Sequence, residues 1–112
     1  MIRKAKVRAR PQPVPGGMNK TEQAYGQHLK RLMMAGEIEY YAFESFKLRL
    51  ANRTFYTPDF VVIRDGMLEL HEVKGFWEDD ARVKIKVAAE QHWMFTFVAI
   101  KKAGAGWAIE EF

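Results

Sequence analysis

The 112-residue chain is long enough for one domain, and its 48% hydrophobic and 13% aromatic residues are typical of a globular protein rather than a disordered one. Cysteine is absent from the sequence, which excludes disulfide scaffolds, thiolate metal sites and cysteine nucleophiles, and no apolar run approaches the roughly 20 residues that span a bilayer. The formal net charge of +4 favours a polyanionic partner, and no apolar segment follows the first basic residues as in a secretory signal, so we expect a cytoplasmic protein with no membrane partner.

The basic residues are concentrated at the start of the chain. Residues 1–20 hold six of the 18 lysines and arginines and no acidic residue, whereas residues 21–112 hold the other 12 basic residues and all 14 acidic ones, a net charge of −2. Three prolines and two glycines between residues 10 and 17 disfavour both helix and central strand. We therefore predict a basic, Pro/Gly-rich arm over 1–18 and a folded domain over 19–112. Such an arm binds nucleic acid or merely keeps the chain solvated, and its candidate DNA-binding residues are Arg3, Lys4, Lys6, Arg8 and Arg10.

A helix is predicted to open the folded domain. Asn19 stands in the N-cap position, and Glu22 follows three residues later, where a capping box requires it. The apolar residues that follow recur at helical spacing until about Gly36, and they are Tyr25, Leu29, Leu32 and Met33.

Three strands are predicted next. The first spans 40–50, and the second spans 54–63, which is rich in aromatic and β-branched side chains. Asp65 and Gly66 are a strong hairpin signal that leads into a third strand, 67–74.

A second helix and further strands complete the predicted domain. Acidic residues at 78–80 favour a helix start, and this helix is predicted to run to about His92 and to bury Ala81, Ile85, Ala88 and Ala89. A last clear strand over 93–100 follows, and a short additional strand is possible over 107–109. The order αβββαβ predicts an α/β or α+β fold with a mixed central sheet flanked by helices.

Glu72 and Lys74 stand two residues apart at the end of the third strand, so both project from the same face. The same face carries Leu68 and Leu70, which places an apolar row directly before a carboxylate and an ammonium group. These two residues either belong to a functional site or form an exposed ion pair worth less than about 1 kcal/mol.

Asp59 follows Pro58 in the middle of the second predicted strand. Proline is excluded from central ladders and aspartate is a poor strand former, so these two residues interrupt an otherwise good strand. Counting back from the turn at 65–66 places Asp59 opposite the region of Glu72. The alternative is an edge bulge that carries a solvated aspartate.

Glu22 supplies a third carboxylate. It precedes Tyr25 by three residues and Leu29 by seven, so it lies on the apolar stripe of the first helix, which faces the sheet. The capping box explains a glutamate at this position equally well. Three converging carboxylates beside a lysine suit Mg²⁺, which takes oxygen ligands, keeps several waters and activates water for attack on phosphate.

These residues resemble the motifs of the PD-(D/E)xK nuclease superfamily. The family pattern is a helix with a glutamate, a strand with Pro-Asp and a hairpin partner with Glu-x-Lys, and the matching residues here are Glu22, Pro58-Asp59 and Glu72-Val73-Lys74. The sequences Thr-Pro-Asp-Phe and Glu-Val-Lys-Gly-Phe-Trp are similar more closely to small phage endonucleases, including Holliday-junction resolvases of the phage endonuclease I type. The resemblance covers residues 19 to about 102.

The resemblance implies a restriction-endonuclease-like core and a metal-dependent endodeoxyribonuclease. Asp59 and Glu72 would coordinate Mg²⁺, for which Mn²⁺ can substitute, and Glu22 would assist directly or through water. Lys74 would position the attacking water, which completes the implied catalytic set. Phage origin implies action in the host cytoplasm.

Other polar and aromatic residues are weaker candidates. Arg82, Lys84 and Lys86 could contact DNA phosphates, or they could form a solvated helix face. His71 points away from Glu72 and is assigned no metal role, and His28 is expected at the surface. Two aromatic residues after the lysine strand are expected to pack in the core or to stack on an unpaired base, and they are Phe76 and Trp77.

We therefore expect a Mg²⁺-dependent, phage-type endonuclease that hydrolyses DNA, with branched junctions as one possible substrate. A domain this small offers little DNA-binding surface, so we also expect a homodimer with two symmetric sites. The alternative is a catalytically silent DNA-binding module of the same fold, and a third possibility is a small protein whose arm binds a protein partner.

Overall fold

The computed structural model describes residues 17–75 and 79–112, so residues 1–16 of the arm predicted over 1–18 and the residues Phe76, Trp77 and Glu78 lie outside the described residues. Two helices are present in the described part, α1 (Lys20–Met34) and α2 (Asp79–Gln91). The strands in chain order are β1 (Tyr40–Phe43), β2 (Leu48–Ala51), β3 (Thr54–Tyr56), β4 (Phe60–Arg64), β5 (Met67–Lys74), β6 (Thr96–Ala103) and β7 (Gly106–Glu111). Neither described helix is long and apolar enough to cross a membrane.

The capping box predicted for α1 is confirmed. The backbone N–H of Glu22 donates to Oδ1 of Asn19 at 2.8 Å, and the backbone N–H of Asn19 donates to Oε1 of Glu22 at 3.1 Å. The buried face of the helix carries Glu22, Tyr25 and Leu29, whereas Met33 is exposed, against the prediction. These reciprocal bonds satisfy two backbone donors and fix the first turn of α1.

The sheet is mixed and has five strands in the order β1-β4-β5-β6-β7. Strands β5 and β6 pair in parallel, with α2 as their crossover, and the other three pairs of this sheet are antiparallel. The observed architecture is therefore a mixed α+β fold, in agreement with the coarse fold class predicted from sequence.

Two predicted strands are each divided in the structure, so the predicted order αβββαβ is wrong in detail. The stretch 40–50 becomes β1 and β2, because the chain turns away at Glu44, whose φ of 47° is incompatible with a strand. The stretch 54–63 becomes β3 and β4, because Pro58 has no N–H to offer a ladder. Strands β2 and β3 pair with each other in a separate two-stranded sheet.

The hairpin at Asp65 and Gly66 is confirmed. Both residues have positive φ, 53° and 75°, as a two-residue type I′ turn requires. The turn sets the register of β4 against β5, in which Phe60 faces His71. The residue before Phe60 is thereby placed at the level of Glu72.

Apolar clusters cover both faces of the five-stranded sheet. The cluster on the α1 side includes Leu29, Phe60 and Val73, and the cluster on the α2 side includes Leu70, Ile85 and Phe97. Ile85 and Ala88 are buried as predicted, but Ala81 and Ala89 are only half-buried. Strand β6 begins three residues later than predicted, and β7 extends beyond the predicted 107–109.

Candidate functional site

The hairpin of β4 and β5 brings Asp59 and Glu72 together, as the sequence predicted. The backbone N–H of Val73 donates to Oδ2 of Asp59 at 2.8 Å, which anchors the aspartate across the hairpin. Asp59 is 7% exposed and Glu72 is 8% exposed. The alternative of a solvated aspartate on an edge bulge is therefore wrong.

Glu72 is held by two side chains. Its Oε1 accepts a hydrogen bond of 2.7 Å from the hydroxyl of Tyr56, and its Oε2 lies 3.3 Å from Nζ of Lys74. The alternative of a fully exposed ion pair fails, because Glu72 is buried and only Lys74 reaches solvent. Sequence analysis missed Tyr56, although its place two residues before Pro58 is the available signal.

Glu22 is buried at the start of α1, where it caps the helix and also acts electrostatically on the other two carboxylates. Its negative charge contributes to raising the pKa of both Asp59 and Glu72. The capping role and the predicted inward orientation are therefore compatible.

Burial raises the pKa of both buried carboxyl groups. Burial, followed by the charge of Glu72, raises the pKa of Asp59 to about 8, against the opposing hydrogen bond from Val73. Burial also raises the pKa of Glu72, although Tyr56 and Lys74 favour its ionised form. The site thus holds two acidic groups whose ionisation is opposed by burial and by the charge of Glu22.

The two proton donors of the site keep their protons. Burial opposes the charge of Lys74, but Glu72 and Asp59 outweigh burial, so the pKa of Lys74 is raised. Burial and the neighbouring charge of Glu72 raise the pKa of Tyr56 above its ordinary value. Lys74 therefore remains a cation and Tyr56 a neutral donor at physiological pH.

A cation would relieve the repulsion between Asp59 and Glu72. Within residues 17–75 and 79–112, no group of three or more His, Asp or Glu side chains is arranged to hold a metal ion. Mg²⁺ is nevertheless often bound by one or two carboxylates, with water and substrate phosphate as its other ligands. The donor chemistry of Asp59 and Glu72 fits this type of site.

A cleft of about 350 Å³ opens beside Glu72, whereas Asp59 does not line it. Its lining includes Glu72 and Lys74 from β5 and Lys84 from α2, together with Phe55, Tyr56, Thr57 and Ala81. Arg82 and Lys86 instead line a second cleft, where Arg82 donates to both carboxylate oxygens of Glu110 at 3.0 and 2.7 Å. Of the three basic residues predicted on α2, Lys84 is therefore the one at the candidate site.

The opposite face of β5 carries a second polar cluster, which faces α1. The hydroxyl of Tyr25 lies 2.7 Å from Nδ1 of His71, and Nε2 of His71 lies 2.8 Å from Oε1 of Glu69. Nε of Arg64 lies 3.1 Å from Oε2 of the same glutamate. His71 thus points away from Glu72, as predicted from the alternation of side chains.

His28 is not a simple surface residue. Its ring is half-buried and lies 5.6 Å from the ring centroid of Tyr25 and 6.3 Å from that of Trp107. Burial lowers the pKa of His28.

Comparison with known proteins finds no relative of this chain. The chain matches no protein-family model, and neither curated proteins nor solved structures give a significant match. The function is therefore inferred from the chemistry of the residues described above.

Proposed function

We propose that the chain is a Mg²⁺-dependent endodeoxyribonuclease that hydrolyses phosphodiester bonds of DNA. The observation that carries this proposal is the buried pair Asp59 and Glu72, with the Lys74 ammonium 3.3 Å from Glu72 at a cleft. Two acidic groups with raised pKa values beside a cation are costly to a fold and useful in catalysis.

The proposed roles follow from the contacts of each residue. Asp59 and Glu72 would hold Mg²⁺ or Mn²⁺, with Glu22 assisting directly or through water. When bound, the ion would supply a Lewis acid for the scissile phosphate and lower the pKa of a water molecule.

Lys74 would orient the attacking water and stabilise negative charge that develops on the phosphate. The Tyr56 hydroxyl would hold the Glu72 carboxylate in one orientation through its 2.7 Å hydrogen bond. Attack of water on phosphorus breaks one P–O bond, and the leaving oxygen takes up a proton, so a phosphomonoester and an alcohol result.

The wider proposal includes membership of the PD-(D/E)xK superfamily and a restriction-endonuclease-like core of phage type. It is supported by the motifs Pro58-Asp59 and Glu72-Val73-Lys74, which meet across one hairpin. It also includes a homodimer that acts on DNA, with branched DNA as a candidate substrate. Light scattering that finds a monomer at working concentration would remove the paired-site version of this proposal.

The second candidate is a catalytically silent DNA-binding module of the same fold. The observation that favours it is that no three-residue metal group is preformed within the described ranges. Such a module would shift DNA in gels and leave a supercoiled plasmid intact with Mg²⁺ or Mn²⁺.

The deciding experiment compares cleavage of junction, flap, single-stranded and duplex DNA in Mg²⁺. Asp59→Asn keeps an acceptor for the Val73 N–H but removes the charge, and it should abolish cleavage. Asp65→Asn is the matched control, because it removes one carboxylate from an exposed turn where Asn-Gly is favoured. Equal rates for the parent and Asp59→Asn, or no cleavage of any substrate by the parent, would overturn the nuclease proposal.

A further inference from the structure

Phe55 is a large aromatic side chain at the rim of the candidate cleft. It is 40% exposed, whereas the next residue in β3, Tyr56, is buried and bonds to Glu72. Both side chains line the cleft that contains Glu72 and Lys74. An aromatic ring is therefore presented to solvent next to the groups proposed to act on phosphate.

One lysine lies over this ring, and two others line the cleft. Nζ of Lys47 lies 4.6 Å from the centroid of the Phe55 ring, and Lys74 and Lys84 line the cleft itself. Aromatic rings interleaved with ammonium groups bind single-stranded nucleic acid, since bases stack on the rings while phosphates meet the cations. The charges and the ring together are complementary to one nucleotide strand.

The burial of the two carboxylates limits which form of DNA can reach them. Asp59 and Glu72 are almost fully buried, and a cleft of about 350 Å³ is near the lower end of the size of ligand sites. A stiff duplex cannot fold itself into so small a recess, whereas a single strand can bend its backbone inward. A base released from the stack would then need a surface to replace its lost stacking.

We propose that Phe55, with Lys47 over one face of its ring and Lys84 in the lining of the same cleft, is a stacking platform for an unpaired base on the other face of the ring, so that the site takes DNA with an unpaired nucleotide beside the bond to be cut. This inference rests on the proposed function, because it names the substrate class of the same site.

The test measures binding without cleavage. Fluorescence anisotropy in EDTA compares a labelled thymidine oligonucleotide of about 12 residues with a blunt duplex of equal length. Phe55→Leu should weaken binding of the single strand about tenfold and leave duplex binding unchanged, whereas Phe55→Tyr should keep parental affinity. Tyr40→Leu is the matched control, because Tyr40 is an exposed aromatic residue on β1, and it should bind as the parent does.

The outcomes separate this inference from the proposed function. Equal single-strand affinities for the parent and Phe55→Leu, in a protein that still melts as the parent does, would overturn the platform even if Mg²⁺-dependent cleavage is found. The platform would also be overturned if Phe55→Leu lost the same affinity for the duplex as for the single strand. An equal loss of single-strand affinity in Tyr40→Leu would overturn it too. If Phe55→Leu loses affinity for the single strand only, and the parent cleaves no DNA, the stacking platform would be supported and the nuclease proposal would be overturned.

Discussion

The two faces of β5 each carry a glutamate, and the pKa values of these two glutamates are shifted in opposite directions. On the face towards α1, the hydrogen bond with His71 is the main cause that lowers the pKa of Glu69. On the other face, burial raises the pKa of Glu72, three residues further along the same strand. The comparison shows that residue type alone does not determine the direction in which the pKa of a glutamate shifts.

The difference lies in how the charges are compensated. Glu69 accepts from His71 and Arg64, and His71 has a second partner in Tyr25, so this cluster is satisfied within the protein. Glu72 also has partners, but its charge opposes the ionisation of a second buried carboxyl group, Asp59. Uncompensated carboxylates destabilise a fold, and natural proteins retain such costs chiefly at functional sites.

The largest expected effect concerns Lys74. Lys74→Gln removes the cation next to Glu72 without removing a large side chain, and it should lower the initial rate of Mg²⁺-dependent DNA cleavage at least about hundredfold. Lys102→Gln, a change at the exposed end of β6, is the control and should cleave at close to the parental rate. Equal cleavage rates for Lys74→Gln and Lys102→Gln would show that Lys74 has no role in DNA cleavage.

The second-largest effect is a loss of stability, expected when the cluster around His71 on the opposite face of β5 is disrupted. His71→Leu leaves the Tyr25 hydroxyl and the Glu69 carboxylate without their shared partner, in a position that is 2% exposed in the parent. We expect the free energy of unfolding in urea to fall by about 3 kcal/mol. A loss below about 0.5 kcal/mol would mean that this cluster does not stabilise the fold.

The pH dependence of stability should differ between the two faces. Asp59 has a raised pKa, so between 3.8 and about 8 the folded state holds a proton that the unfolded state has released, and its contribution to stability falls as pH rises. Glu69 has a lowered pKa, so its contribution has the opposite sign and is lost as pH falls through that lowered pKa.

The contribution of Asp59 to this pH dependence is measured as the difference in stability between the parent and Asp59→Asn. Between about pH 5.5 and about pH 7, well inside this window, the parent should lose about 2 kcal/mol relative to Asp59→Asn, as followed by urea unfolding at several pH values. Parallel pH profiles for the two proteins would contradict the raised pKa.

The smallest effect is expected at Arg64. Its ion pair with Glu69 is more than one third exposed on the arginine side, so salt and solvent screen the interaction. Arg64→Gln should lower the free energy of unfolding by about 0.5 kcal/mol, and less in high salt. A loss as large as that of His71→Leu would show that the cluster depends on Arg64 rather than on His71.

Local sequence signals predicted part of this molecule correctly. The capping box at Asn19 and the turn at Asp65 and Gly66 depend on near neighbours, and the turn fixes the register that brings Asp59 to Glu72. Side-chain alternation along β5 then correctly separated His71 from Glu72.

The remaining features depend on contacts between distant residues. The alternation in 40–50 continues past the point where the chain leaves the five-stranded sheet, so pattern alone could not divide β1 from β2. The bond between Tyr25 and His71 joins residues 46 positions apart, and the bond between Tyr56 and Glu72 crosses from one sheet to the other. Such partners are fixed by packing and have no local signature.

The central claim is that Asp59 and Glu72 form a cation site in which a metal ion displaces the proton of Asp59. Calorimetric titration of Mn²⁺ tests it most directly, in two buffers of different ionisation enthalpy and about one unit below the Asp59 pKa of about 8. The parent should bind the ion and release about one proton, whereas Asp59→Asn should bind at least about tenfold more weakly and release less. Absence of binding by the parent, or identical binding by both proteins without proton release, would contradict the claim.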